Sequence, residues 1–185
     1  MEAVTILGND EQRGTYILRV LVTKDLQIRF GRFRQGAPVY VPRGDVLYVG
    51  SAMGQKGSTT LARRLLRHAT RRPPKWQHKL RPILLEKMTA AGLASPNFQP
   101  PADKTLFWNI DYLLDEETVE LKQVFILRSQ DRLEDEVAAL ILADPVCQPI
   151  APGLGAHDSP AITHLLHVQA GDSWWQTLPV RLSSI

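Results

Sequence analysis

From Thr60 to Arg72 the segment TLARRLLRHATRR separates two chemistries at helical spacing. Leu61, Ala62, Leu65, Leu66 and Ala69 fall on one arc; Arg63, Arg64, Arg67, His68 and Arg71 fall on the other. The apolar arc needs a surface to cover, and the residues ahead of it predict a sheet. Gly14–Thr23 reads as a strand, and Lys24-Asp25 separates it from the alternating LQIRF, which suggests a hairpin. A short β segment around Val39–Val41 and a third main strand over Asp45–Gly50 follow. Two mirror-related triplets frame this stretch, Gly14-Thr15-Tyr16 and Tyr48-Val49-Gly50. Gly50-Ser51-Ala52-Met53-Gly54 then turns toward the helix, with Ser58, Thr59 and Thr60 as N-cap residues. Gly54 and Gly57 leave backbone amides open to a phosphate.

Charge is distributed unevenly. The net charge is only +3, yet no acidic residue occurs between Asp45 and Glu86, a span holding Lys56, Arg63, Arg64, Arg67, Arg71, Arg72, Lys75, Lys79 and Arg81. The compensating acids gather between Asp103 and Asp144. A molecule polarised in this way attracts phosphate backbones without regard to sequence. The alternative is a solvated helix face balanced elsewhere on the surface.

At 185 residues and 44% hydrophobic content, the chain can bury one ordinary core, so a single domain over residues 1–185 is expected. The lone cysteine, Cys147, excludes an intramolecular disulfide and a cysteine-rich zinc site; it suits a small core position and a reducing cytoplasm. No apolar run approaches the roughly 18 residues of a membrane span. The N-terminus MEAVTILGNDEQR lacks the charged-then-apolar order of a signal peptide. A soluble protein of the cytoplasm is expected.

Prolines at 73, 74, 82, 96, 100 and 101 mark residues 73–105 as an insertion with a short helix over Arg81–Ala91. Phe107–Leu114 reads as a short packed helix, TVELKQVFILRS as a strand, and Asp131–Ala143 as a helix opened by Ser129 or Asp131. A turn-rich stretch leads to a final strand, THLLHVQ, and residues 169–185 form a C-terminal extension with a further strand around Gln176–Arg181. The fold class is α+β: a small mixed or antiparallel central sheet flanked by helices.

These residues together resemble the GIY-YIG nuclease superfamily. Gly14-Thr15-Tyr16 stands for its first motif, Tyr48-Val49-Gly50 for its second, and Arg64-x-x-x-His68 for its helix motif. The closer resemblance is to a poorly characterised branch, also found fused to endonuclease III. There YVGSAMG, LARRLLRH, WNIDYLL, LEDEVA and PGLGAHDSPAITHLL match family blocks in order, over about residues 13–168. The chain departs from that branch at Asn109, where histidine is usual, and at Ser159 and Ala161, which replace a cysteine pair. No metal or redox role for that pair carries over.

The resemblance implies phosphodiester hydrolysis assisted by one Mg²⁺ or Mn²⁺ ion. It makes Tyr16 the general base, Tyr48 an orienting group for water or phosphate, Arg64 the transition-state charge, and His68 either the support for proton transfer or the group that holds the leaving side. Glu134 is the implied metal carboxylate, within the Leu133-Val137-Ile141 face of its helix, with Glu136 in reserve. Lys56, Arg63, Arg67, Arg71 and Arg72 read as phosphate-contacting residues, with Arg63, Arg67 and Arg71 pointing into solvent. DNA is the expected partner, RNA the other polyanion; no membrane and no small-molecule cofactor is expected.

Simpler readings stand beside these. Tyr16 and Tyr48 suit a filled sheet face, Glu134 a first-turn glutamate favoured by the helix dipole, and Asp111 a helix cap or a buried hydrogen bond. His157, His164 and His167 with Asp158 lack the order of a closed zinc site. Trp174 and Trp175 could stack on bases, although packing over the sheet suits them better. Two rival functions remain at this point: a non-catalytic nucleic-acid-binding module on the same scaffold, and a structural or interaction domain with an incidental basic face.

Overall fold

A computed structural model describes residues 2–155 and 163–185. Its centre is a six-stranded sheet in the order β1-β6-β2-β5-β8-β7. The strands are β1 (Val4–Gly8), β2 (Gly14–Val22), β5 (Gly44–Ala52), β6 (Val119–Arg128), β7 (Cys147–Pro149) and β8 (Leu165–Val168). Only β1 and β6 run parallel, so the sheet is mixed and the chain α+β.

The expected hairpin is not formed. LQI, as β3 (Leu26–Ile28), pairs instead with β4 (Val39–Val41) in a separate two-stranded ribbon. The reason lies in β2: Tyr16, Leu18, Val20 and Val22 bury on one face and Ile17 on the other. A strand apolar on both faces belongs in the middle of a sheet, and β2 takes β5 and β6 as its neighbours.

Helices cover both faces. On one lie α1 (Leu61–His68), α2 (Arg81–Ala90) and α3 (Asn109–Leu114); on the other lie α4 (Glu134–Leu142) and α5 (Asp172–Leu182). Helix α1 is shorter than the arginine pattern suggested. The Thr60 hydroxyl caps it by accepting the Arg63 N–H at 3.4 Å, and it stops at His68, shortly before Pro73-Pro74. Helix α4 opens at Glu134, after Leu133, so neither Ser129 nor Asp131 caps it; the Leu133 N–H goes to the Thr15 hydroxyl at 3.1 Å.

Residues 73–105 do not stand apart from the core. Leu84, Met88, Leu93 and Ala94 join the same buried cluster as Tyr16, Leu18 and Leu65. The extension over Gln176–Arg181 is helical rather than a strand. Trp175, Leu178 and Leu182 recur at helical spacing and bury against Ile17, Leu47 and Phe125. Trp175 is fully buried, stacked on Phe125 at 6.4 Å, and Trp174 donates its indole N–H to Asp144 at 2.7 Å, so both pack over the sheet. Cys147 is buried, as expected of a small core residue, and desolvation raises its thiol to about 12. Among the described residues no helix is long and apolar enough to cross a membrane.

Candidate functional site

The two triplets explain each other once the strands pair. Tyr16 lies directly opposite Gly50 in the β2–β5 ladder, and Tyr48 sits on the same face one pleat away. The rings are 6.4 Å apart between centroids. A Cβ on Gly50 would stand 2.6 Å from the Tyr16 ring and hydroxyl and 2.8 Å from the Tyr48 ring. Glycine in the second motif is therefore the space that admits the tyrosine of the first.

Behind the tyrosines runs a buried polar chain. The Tyr16 hydroxyl is 2.9 Å from His68 Nε2, and His68 Nδ1 is 3.2 Å from Asp111 Oδ1. Asp111 Oδ2 accepts from Arg67 Nη1 at 2.6 Å and from the backbone N–H groups of Trp108 at 2.9 Å and Phe107 at 3.2 Å. The aspartate is thus both the acid that caps α3 and the partner of His68. Desolvation opposes its charge, but the hydrogen bond to His68, with Lys104 and Arg67 nearby, holds the carboxyl below its usual range. An ionised Asp111 makes His68 Nδ1 the donor, which leaves Nε2 to accept from the Tyr16 hydroxyl. Burial lowers the basicity of His68 and pushes Tyr16 and Tyr48 upward, with Arg64 pulling both tyrosines back.

In front of the tyrosines lies a cleft of about 590 Å³. The β8 ladder covers β5 only from Asp45 to Tyr48, with one more bond from the Val49 N–H to the His164 carbonyl at 3.0 Å. Among the described residues β5 from Gly50 onward therefore has only β2 as a strand neighbour, and the cleft opens there. The pleat sends Tyr48 to the α1 side and Ser51 to the α4 side of this opening. Arg64 reaches the Ser51 carbonyl at 3.5 Å and lays its guanidinium over Trp108 at 4.3 Å. The Ser51 hydroxyl donates to Glu134 Oε2, and Glu134 Oε1 is 3.0 Å from His164 Nδ1. Desolvation raises Glu134, yet His164 and Ser51 outweigh it and keep the carboxyl below its usual range. Arg132, Asp135, Asn109 and Phe107 complete the rim.

Of the expected site residues, Tyr48, Arg64 and Glu134 line the cleft; Tyr16 and His68 are fully buried behind Tyr48, not on the concave surface. Glu136 is exposed and outside the cleft, with Asp135 at the rim in its place. His164 is buried beside Glu134, with Nδ1 facing Glu134 Oε1 and Nε2 3.6 Å from Asp135 Oδ1. His157, Asp158, Ser159 and Ala161 lie outside the described residues. Nothing in the residue pattern singled out Ser51, Lys104 or Arg132.

The basic residues divide in a way the helical wheel did not show. Lys56 and Arg63 are exposed. Arg71 is only 4% exposed, and its guanidinium is tied to the carbonyls of Trp76 and Val119 and to Glu120. It lies beyond the end of α1, so the helical phase that placed it in solvent does not apply. Arg67 is half-buried, held by Asp111 and the Thr105 carbonyl, because α3 packs beside α1. Arg72 pairs with Asp115 at 2.9 Å with its side chain 48% exposed. The acids at 103–144 thus neutralise the C-terminal part of the basic run.

A model of the domain of unknown function DUF123 matches residues 15–181. The chain belongs to the DUF123 family. The match includes both tyrosines, the buried polar chain and the cleft, and it extends past residue 168 into α5. Comparison with curated proteins and with solved structures finds no match.

Proposed function

We propose that this DUF123 protein is a GIY-YIG-type endonuclease that binds nucleic acid across the cleft and hydrolyses a phosphodiester bond with one Mg²⁺ or Mn²⁺ ion. The observation that carries the reading is the meeting of Tyr48, Arg64 and Glu134 at one cleft, with the Tyr16–His68 pair in ring contact behind Tyr48. Arg64 offers a fixed positive charge for the phosphoryl group, oriented by the Trp108 ring. Asp111 fixes the His68 tautomer, and the Tyr16 hydroxyl donates to His68 Nε2, so the buried pair holds the Tyr16 ring in place behind Tyr48. Tyr48 is then the tyrosine that would orient water or phosphate at the cleft.

The residues present fit a hard divalent ion in an open site. Glu134 is ionised, with a side chain only 15% exposed, and Asp135 stands at the same rim. Among the described residues there is no group of three metal-ligating side chains, so the ion would keep waters and take phosphate oxygens, as Mg²⁺ commonly does. When bound, it supplies Lewis-acid charge to the phosphate.

The test is cleavage of single-stranded, branched and linear DNA with Mg²⁺ or Mn²⁺. Glu134→Gln should abolish cutting while affinity stays equal or rises. A wild-type protein that binds these DNAs, and RNA, but cuts none with either metal would be a binding module. Absence of salt-dependent binding would make it an interaction domain.

A further inference from the structure

Phe107 is 71% exposed at the rim of the cleft. A single exposed apolar residue on a surface is ordinary. Here, however, the ring stands edge-on to Trp108 at 4.9 Å, and Trp108 carries the Arg64 guanidinium at 4.3 Å. The backbone is fixed as well, since the N–H groups of both aromatic residues are held by the buried carboxylate of Asp111. An open aromatic face, a rigid base beneath it and a cation at its side are the parts of a stacking platform for a nucleobase.

We infer that Phe107 and Trp108 form a shelf that stacks an unpaired base next to the phosphate held by Arg64, so that the protein selects nucleic acid with a single-stranded segment at the cleft. This rests on the nucleic-acid reading of the site and narrows its substrate class. Stacking needs a base with a free face; paired bases inside a duplex do not offer one. The aromatic pair thereby replaces Trp174 and Trp175 as the base-stacking residues, because those two are consumed by packing and by Asp144.

The test compares a blunt DNA duplex with the same duplex carrying a single-stranded thymidine tail, bound to the full chain with the metal omitted to prevent cutting. Wild type should favour the tailed form. Phe107→Ala should lower that affinity about tenfold, with blunt-duplex affinity unchanged and Phe107→Tyr restoring it. An abasic position moved along the tail should weaken wild type at one or two places and leave Phe107→Ala indifferent. Because the ring is exposed, the alanine variant keeps its fold, which its thermal melt will verify. Equal binding of both DNAs by wild type and variant would overturn the shelf while leaving the nuclease reading intact. No binding of either DNA by wild type would overturn both, and the shelf would then belong to an apolar protein partner.

Discussion

The two faces of the sheet bury similar apolar side chains but treat charge differently. On the α4–α5 side, Ile17, Leu47, Phe125, Ile141, Trp175 and Leu178 pack together, and the notable cation, Arg19, projects from the central strand β2 over Trp175 with Asp45 and Asp172 as partners. On the α1–α3 side, His68, Lys104, Asp111, Arg71 and His78 are buried among the core residues. Buried charges rarely stabilise a fold more than apolar residues of the same size. On this side His68, Asp111, Arg71 and His78 are held by hydrogen bonds and ion pairs rather than by apolar contact alone. One face is packed for cohesion, the other for electrostatic order.

The contrast breaks first at Asp111. Asp111→Ala strands Arg67, His68 and Lys104 and frees the capped N–H groups of α3, so chemical denaturation should show a loss of about 3–5 kcal/mol. A loss below about 1 kcal/mol would mean that the polar chain is decorative.

Lys104 sharpens the same point through pH. Desolvation lowers its ammonium from 10.5 to about 8, and its Nζ is 4.0 Å from Asp111. Between those values the unfolded chain binds more protons than the folded one, so this group makes stability rise with pH across that window, by at most about 1.4 kcal/mol per unit. Lys104→Met should flatten the rise measured between pH 8 and 10.5; an unaltered slope would place the buried charge elsewhere.

Gly50→Ala inserts a methyl group between Tyr16 and Tyr48 without removing any functional group. Overpacking of this kind costs about 1–3 kcal/mol, and nucleic-acid cleavage should fall with it. Full activity with unchanged stability would show that the tyrosines need not be so close. The smallest effect belongs to the opposite face: Ile141→Val should cost about 0.5–1.5 kcal/mol in a denaturation curve and leave nucleic-acid affinity at its wild-type value. A change in affinity would couple the two faces.

Much of this arrangement was legible in the residues themselves. The period of two in β2 and β5, the arc of leucines on α1 and the glycine-tyrosine triplets depend on local geometry, and local geometry repeats along a chain. The same helical spacing put Arg64 on the polar arc, and it lines the cleft. The α5 helix was misread as a strand because short apolar runs carry little period, and Pro179 lies inside the helix. Ser51 and Lys104 had no local signal, and the sequence set His164 only beside His157 and His167 as a zinc ligand, not as a partner of Glu134.

What the sequence by itself determined is the α+β class, the succession of the main elements from β2 to β8 along the chain, and the candidate residues Tyr16, Tyr48, Arg64, His68 and Glu134; β1, β7 and the helical form of α5 were not in it. Only the tertiary structure decided which of these residues meet. Pairing Tyr16 with Gly50 brought the motifs together, α3 beside α1 turned Arg67 from solvent toward Asp111, and the early end of β8 opened the cleft where Ser51 joins Arg64 to Glu134. Each is a contact between residues far apart in the chain. Helical or strand period assigns a side chain to a face, but the partner it finds there is set by how the elements pack.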